Sequence, residues 1–143
     1  VSYHSDRKIF VTCDDRAILF GNDASVISEI PFDGLSLKAF DSAPGNHTSI
    51  LLDNYENGGN TRVLFVGGDG TLTGSLDFDE DIYSISCAGD YTALQFSDKC
   101  AVYKKDMTLY CEFKTSADVS RCIANSNGSV ICISNNFATL YVK

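Results

Sequence analysis

The sequence predicts an all-β chain made of consecutive four-stranded antiparallel sheets, and three observations carry that prediction. The stretch Val63 to Phe78, VLFVGGDGTLTGSLDF, reads as a tight β-hairpin, with strand-like runs flanking Gly67-Gly68-Asp69-Gly70, where glycines reach the positive φ angles a hairpin turn requires. Two further stretches, Ala17 to Phe32 and Cys100 to Thr115, lie beneath it without gaps. Asp23, Asp69 and Asp106 then share one position, followed two residues on by Ser25, Thr71 and Thr108. An aspartate can bond backbone two residues later, so a recurring D-x-[ST] is a structural turn-capping device. Finally, no segment of about a dozen residues carries a helical apolar stripe free of glycine, proline or alternation, so helix is nearly absent.

Each hairpin is preceded by two more strand candidates, which gives units of four strands, A to D. The first unit, residues 1–32, holds VSYHS, KIFVTC, RAILF and SVISEIPF. The second, 33–78, holds LSLKAF, TSILLD, RVLFV and TLTGSLDF. The third, 79–115, holds IYSISC, YTALQF, CAVYK and TLYCEFK, and the fourth, 116–143, holds VSRCIA, SVICIS and FATLYVK. The spacing is 46 residues from Asp23 to Asp69 and 37 from Asp69 to Asp106; much of the difference is an insertion at 54–61 between strands B and C of the second unit. Four short strands per repeat of about 40 residues are the signature of β-propeller blades. The predicted architecture is therefore a partial ring of about three and a half to four blades.

On these repeats the chain resembles β-propeller repeat proteins and, more loosely, an uncharacterised bacterial family of membrane-anchored propellers whose blades carry this D-x-[ST]-apolar turn. Tryptophan is absent, so the tryptophan-docking motif of quinoprotein propellers and the Trp-Asp ending of tryptophan–aspartate repeats are both missing. The sialidase-type aspartate box is also unmet. What the resemblance implies is a fold used for interaction or ligand binding. It also implies that the D-to-A and B-to-C loops share one end of the blades, and that a missing last strand is supplied from upstream. Two outcomes follow: a C-terminal part of a larger propeller with upstream blades, or self-association of copies to close a ring. The resemblance to the anchored family implies an extracytoplasmic domain; otherwise the compartment is cytoplasmic.

Gly67-Gly68-Asp69-Gly70-Thr71-Leu72 also resembles the GGDGT motif of NAD kinases and diacylglycerol kinases, where glycine amides approach phosphate and the Asp serves nucleotide binding or catalysis. Those kinases place a helix after the motif. TGSLDFDED is a poor helix, because Gly74 weakens it and its apolar residues alternate. A nucleotide-dependent kinase, or a hydrolase on an acidic loop face, is thus the alternative to a non-catalytic binding or protein-interaction module.

In 143 residues, 44% hydrophobic, there is enough apolar material for one domain's core. With 19 acidic against 11 basic residues the net charge is −8, which repels nucleic acid and anionic lipid and makes a cationic partner or ligand the more natural one. The partner expected on a propeller scaffold is a protein or a small ligand such as a peptide or glycan. No run is long and apolar enough to span a membrane as a helix. Six cysteines stand singly without a C-x-x-C pair, which argues against a zinc site, and most fall in strand-like runs as small buried hydrophobes; disulfides stay open for a secreted protein. No cofactor is expected.

Candidate binding residues come from two loop regions. The insertion offers Tyr55, Asn57, Asn60 and Arg62. The D-to-A loops gather Asp33, Asp77, Asp79, Glu80, Asp81 and Asp118, of which Asp79, Glu80 and Asp81 form the densest group. No calcium loop pattern accompanies them, so the carboxylates read as a solvated rim rather than a metal site. His4 and His47 lack partners at catalytic spacing and read as surface or strand-end residues. Asn46-His47-Thr48 and Asn127-Gly128-Ser129 match the glycosylation sequon. No catalytic residue is assigned.

Overall fold

The structure, a computed structural model, describes residues 2–4, 8–53 and 60–143. The first sheet holds β1 (Ser2–His4), β2 (Lys8–Thr12), β3 (Arg16–Phe20) and β4 (Val26–Pro31). The second holds β5 (Ser36–Ala43), β6 (His47–Asp53), β7 (Thr61–Gly67) and β8 (Leu72–Phe78). In the third are β9 (Ser84–Ala88), β10 (Tyr91–Gln95), β11 (Lys99–Lys104) and β12 (Leu109–Lys114), and in the fourth β13 (Val119–Ala124), β14 (Val130–Ser134) and β15 (Ala138–Tyr141). Strands within each sheet are antiparallel and follow chain order. There is no helix among the described residues. Every predicted run forms a strand; LSLKAF continues further than expected, to Ala43, with a register shift between Leu37 and Ala39.

Alternation along the central strands explains why the sheets stack. On β6, Ile50 and Leu52 join one apolar core while Leu51 joins the next; on β7, Leu64 and Val66 face the first and Val63 and Phe65 the second. Strands buried on both faces read as continuous apolar runs rather than half-polar ones. The first core packs these residues against Phe10, Leu19 and Ile30 of the first sheet. The second packs them against Ile85, Leu94 and Phe96 of the third. The third core sets Ala93, Cys100 and Val102 against Cys122, Val130 and Cys132 of the fourth sheet.

The first strands of successive sheets lie side by side, β5 beside β9 and β9 beside β13. Among the described residues backbone pairing is confined within each sheet, and side chains bridge this seam. Asp41 accepts a hydrogen bond from the Cys87 amide at 2.8 Å. Ser84 and Ser86 hydroxyls accept from the Cys122 and Ala124 amides at 3.2 and 3.1 Å. Buried amides without a strand partner are costly, and these acceptors satisfy them.

The D-x-[ST] turns have one geometry. The amides of Ser25, Thr71 and Thr108 donate to Asp23, Asp69 and Asp106 at 3.1, 2.9 and 3.0 Å. The intervening residues, Ala24, Gly70 and Met107, take φ of 62°, 87° and 69°, and each hairpin shows a register shift beside the turn. This is a type I turn closed by a left-handed residue in a bulge. Space requires glycine at Gly68, where a Cβ would meet the Gly45 carbonyl oxygen at 2.8 Å. The GGDGT stretch is thus a hairpin tip followed by β8, not by the helix that the kinase alternative needs.

Candidate functional site

The end of the sheets carrying the D-to-A and B-to-C loops bears the predicted acidic rim, and its charges are largely paired. The Thr61 hydroxyl donates to the Glu80 carbonyl at 3.2 Å, tying the two kinds of loop together. Arg62 grips Asp77 through two bonds of 2.6 and 3.0 Å. That fork holds the Asp77 carboxyl below its ordinary range and raises the guanidinium. Lys38 sits 3.1 Å from the buried Asp53 and 3.8 Å from Asp81, and Lys99 sits 2.9 Å from Glu80. Asp79 is exposed. Asn60 and Arg62 line a small cavity of about 160 Å³ with Leu35, Thr61 and Asp77. Tyr55 and Asn57 lie outside the described residues.

The opposite end, formed by the A-to-B and C-to-D turns, also has a cavity. A cleft of about 320 Å³ opens between the second and third sheets, lined by Asn46, His47, Gly67, Thr73, Lys105 and Asp106. Asn46 donates to the Gly89 carbonyl at 2.8 Å and to Asp90 at 2.6 Å, and Lys105 reaches Asn46 Oδ1 at 3.1 Å and Asp90 at 2.9 Å. The Asp90 carboxyl is held low first by the Asn46 amide and then by Lys105.

His47 corrects the surface reading. It opens β6 as a strand-end residue, but it is 1% exposed. Its Nε2 and Thr92 Oγ1 share a hydrogen bond of 2.8 Å, and Ser49 Oγ meets the same hydroxyl at 2.8 Å. Burial lowers the imidazole pKa from its ordinary 6.5, against a raising effect from the neighbouring Gly89 carbonyl. The first sequon is poorly placed for a glycan, since the Asn46 amide is engaged and His47 and Thr48 are buried. In the second, Asn127 Oδ1 accepts from the Ser129 amide and hydroxyl at 3.0 and 2.7 Å. It is a further copy of the turn cap, made with asparagine.

The absence of paired cysteines was a poor guide to where the thiols meet. Cys100, Cys122 and Cys132 come from three strands, and their sulfurs lie within 4.8 Å of one another. Among them, thiol donors favour the anion at Cys132, while hydrogen bonding and burial raise Cys100. Cys87, packed instead beside Ser49 and Thr92, is pushed up to about 11 by burial.

Sheets that stack through shared apolar faces, with the first strand of each lying against the first strand of the next, define the fold as part of a β-propeller. No protein-family model matches the chain, and no curated protein matches it. Solved propeller structures do. The chain is similar to BBS1N in its complex with ARL6DN, with a TM-score of 0.65, 8% identity, and coverage of 94% of this chain and 46% of that one. It is similar to Hsv2 of Kluyveromyces lactis, with a TM-score of 0.58, 20% identity, and coverage of 99% and 47%. It is also similar to the Pan2 WD40 domain of Neurospora crassa, with a TM-score of 0.58, 11% identity, and coverage of 95% and 44%. The chain spans about half the length of these structures, and the likeness is one of fold.

Proposed function

We propose that this chain is a non-catalytic binding module that presents, on a propeller scaffold, a cleft for a peptide segment of a protein partner. The cleft between the second and third sheets carries this reading: its about 320 Å³ falls at the lower end of ligand sites, and polar groups converge on it from four turns and strands. Thr73, Lys105 and Asp106 offer both donors and acceptors, which suits the alternating main-chain groups of an extended peptide. The bonds of Asn46 to Gly89 and Asp90, and of Lys105 to Asp90, fix the cleft wall before any ligand arrives, which lowers the ordering cost of binding. A hard electrostatic partner is less suited, because the cleft brings one cation and one carboxylate together.

A second reading is supported by the loop end, where Thr61 bonds the Glu80 carbonyl and brings Asn60 and Arg62 to the loop of Asp79, Glu80 and Asp81. A peptide and glycan array probed with the whole chain separates the two. Thr73→Arg and Lys105→Glu are expected to weaken peptide binding by at least about tenfold with the fold intact, and Arg62→Ala to leave it unchanged. Loss of binding in Arg62→Ala alone moves the site to the loop end. ATP-dependent turnover that disappears in Asp69→Ala overturns the binding-module reading in favour of the kinase alternative.

A further inference from the structure

The third core contains three buried thiols, whereas the first two are built of aliphatic and phenylalanine side chains. Cys100 on β11 and Cys122 on β13 are 0% exposed, and Cys132 on β14 is 1% exposed. Cys122 and Cys132 are direct cross-strand partners with sulfurs 2.9 Å apart. Cys100 reaches them from the neighbouring sheet, and all three sulfurs lie within 4.8 Å of one another. One buried polar oxygen joins them. Gln95, 1% exposed, donates its Nε2 to the Phe96 carbonyl at 2.5 Å and to Thr115 at 3.4 Å, which leaves Oε1 against Cys122 Sγ.

We propose that Cys100, Cys122 and Cys132 form a closed structural site for one thiophilic divalent cation of the zinc type, with Gln95 Oε1 as the fourth donor, stapling the third sheet to the fourth. Zinc–sulfur bonds of about 2.3 Å around a tetrahedral ion set neighbouring sulfurs roughly 3.8 Å apart. To reach that spacing the Cys122–Cys132 pair must widen by about 1 Å and Gln95 Oε1 must draw back from Cys122 Sγ, with all three sulfurs already within 4.8 Å of one another. Three sulfurs and one oxygen complete four-coordination without water, as a structural rather than catalytic centre demands.

Charge selects the valence. No lysine or arginine is buried among the described residues, so no side chain inside the core offsets thiolate charge. A divalent ion leaves one net negative charge on three thiolates, and a monovalent ion leaves two, at a larger desolvation cost. Spacing in sequence is no obstacle, since the ligands come from strands that the blade packing brings together. Binding joins two sheets that share no backbone pairing, so it adds to folding stability.

The test uses the reduced full chain and cobalt(II) as the probe. One equivalent is expected to bring up thiolate-to-cobalt charge-transfer bands and the intense visible bands of a tetrahedral site, bleached by one equivalent of zinc. Zinc is also expected to raise the thermal midpoint of the unmodified chain, and a chelator to return it. Cys100→Ser and Cys132→Ser should lose the cobalt bands, while Cys87→Ser and Cys111→Ser should keep them. Because a core serine can itself impair folding, the zinc-dependent midpoint of the unmodified chain is the deciding measurement. An unchanged midpoint with no cobalt bands overturns the proposal. So does a chain isolated two hydrogens lighter whose peptide map joins Cys122 to Cys132 in a disulfide, or uptake of monovalent copper alone.

Discussion

At three hairpin tips one carboxylate closes the turn by accepting the amide two residues on, and the left-handed residue between them sets the angle. Those bonds hold the carboxyls of Asp23, Asp69 and Asp106 below the ordinary 3.8; at Asp69 the Thr71 amide is the main cause, and at Asp23 and Asp106 the neighbouring hydroxyl. A folded-state value below the unfolded one gives stability that is present above the unfolded value and lost as pH falls through the folded one. Asp69→Ala is therefore expected to lower the thermal midpoint modestly at neutral pH. Replacing all three with Asn should retain the turns, as Asn127 does in its own hairpin, and flatten the loss of stability below about pH 4 in urea titrations. A steep acid loss that survives the triple substitution would place its source in other carboxylates.

At the scale of elements, legibility tracked what each strand does locally. RAILF and VSRCIA became β3 and β13 end for end, because apolar alternation and flanking turn residues are local signals. Contacts between blades were not legible. Cys100, Cys122 and Cys132 are far apart in the chain, and only the packing of β11 against β13 and β14 brings them together. His47 sits in a polar stretch beside a turn and reads as surface; what buries it is Thr92, 45 residues away on β10. The loop-end candidates were the residues with obvious chemistry, yet there Arg62, Lys38 and Lys99 are spent on carboxylates. The turn-end cleft draws on residues whose turn role concealed any other, such as Asp106. Burial of His47 has a measurable consequence. Its folded-state pKa lies below 6.5, so the stability it permits is full above that value and declines as pH falls below it. Urea unfolding between about pH 7 and 5 should show this decline, and His47→Gln should remove most of it; an unchanged slope would mean that the ring is protonated in the folded chain without cost.

Across the whole molecule, the inner faces of the four sheets are covered by one another and the two outermost faces are not. On the first sheet Ile9 and Ile27 are 43% and 44% exposed, on the strands that carry Phe10 and Ile30 into the first core. On the fourth sheet Ile123, Ile131 and Leu140 are 37%, 38% and 58% exposed, alternating with Cys122 and Cys132, which face inward. Among the described residues β15 pairs with β14 alone, and Phe137 beside it is 54% exposed. Apolar sheet faces and a strand edge of this kind favour association. A second copy is the partner present in any solution of this chain, and packing the fourth sheet of one copy on the first of another repeats the stacking already used three times within the chain. The expected outcome is a dimer or larger assembly by light scattering at low micromolar concentration. Ile131→Lys together with Leu140→Lys on the outer face of the fourth sheet should shift it to monomer without loss of fold. A longer chain whose added blades cover these faces should be monomeric as well. If the unmodified chain is a stable monomer, the two outer faces tolerate water, and ring closure by a second copy is not what this surface is for.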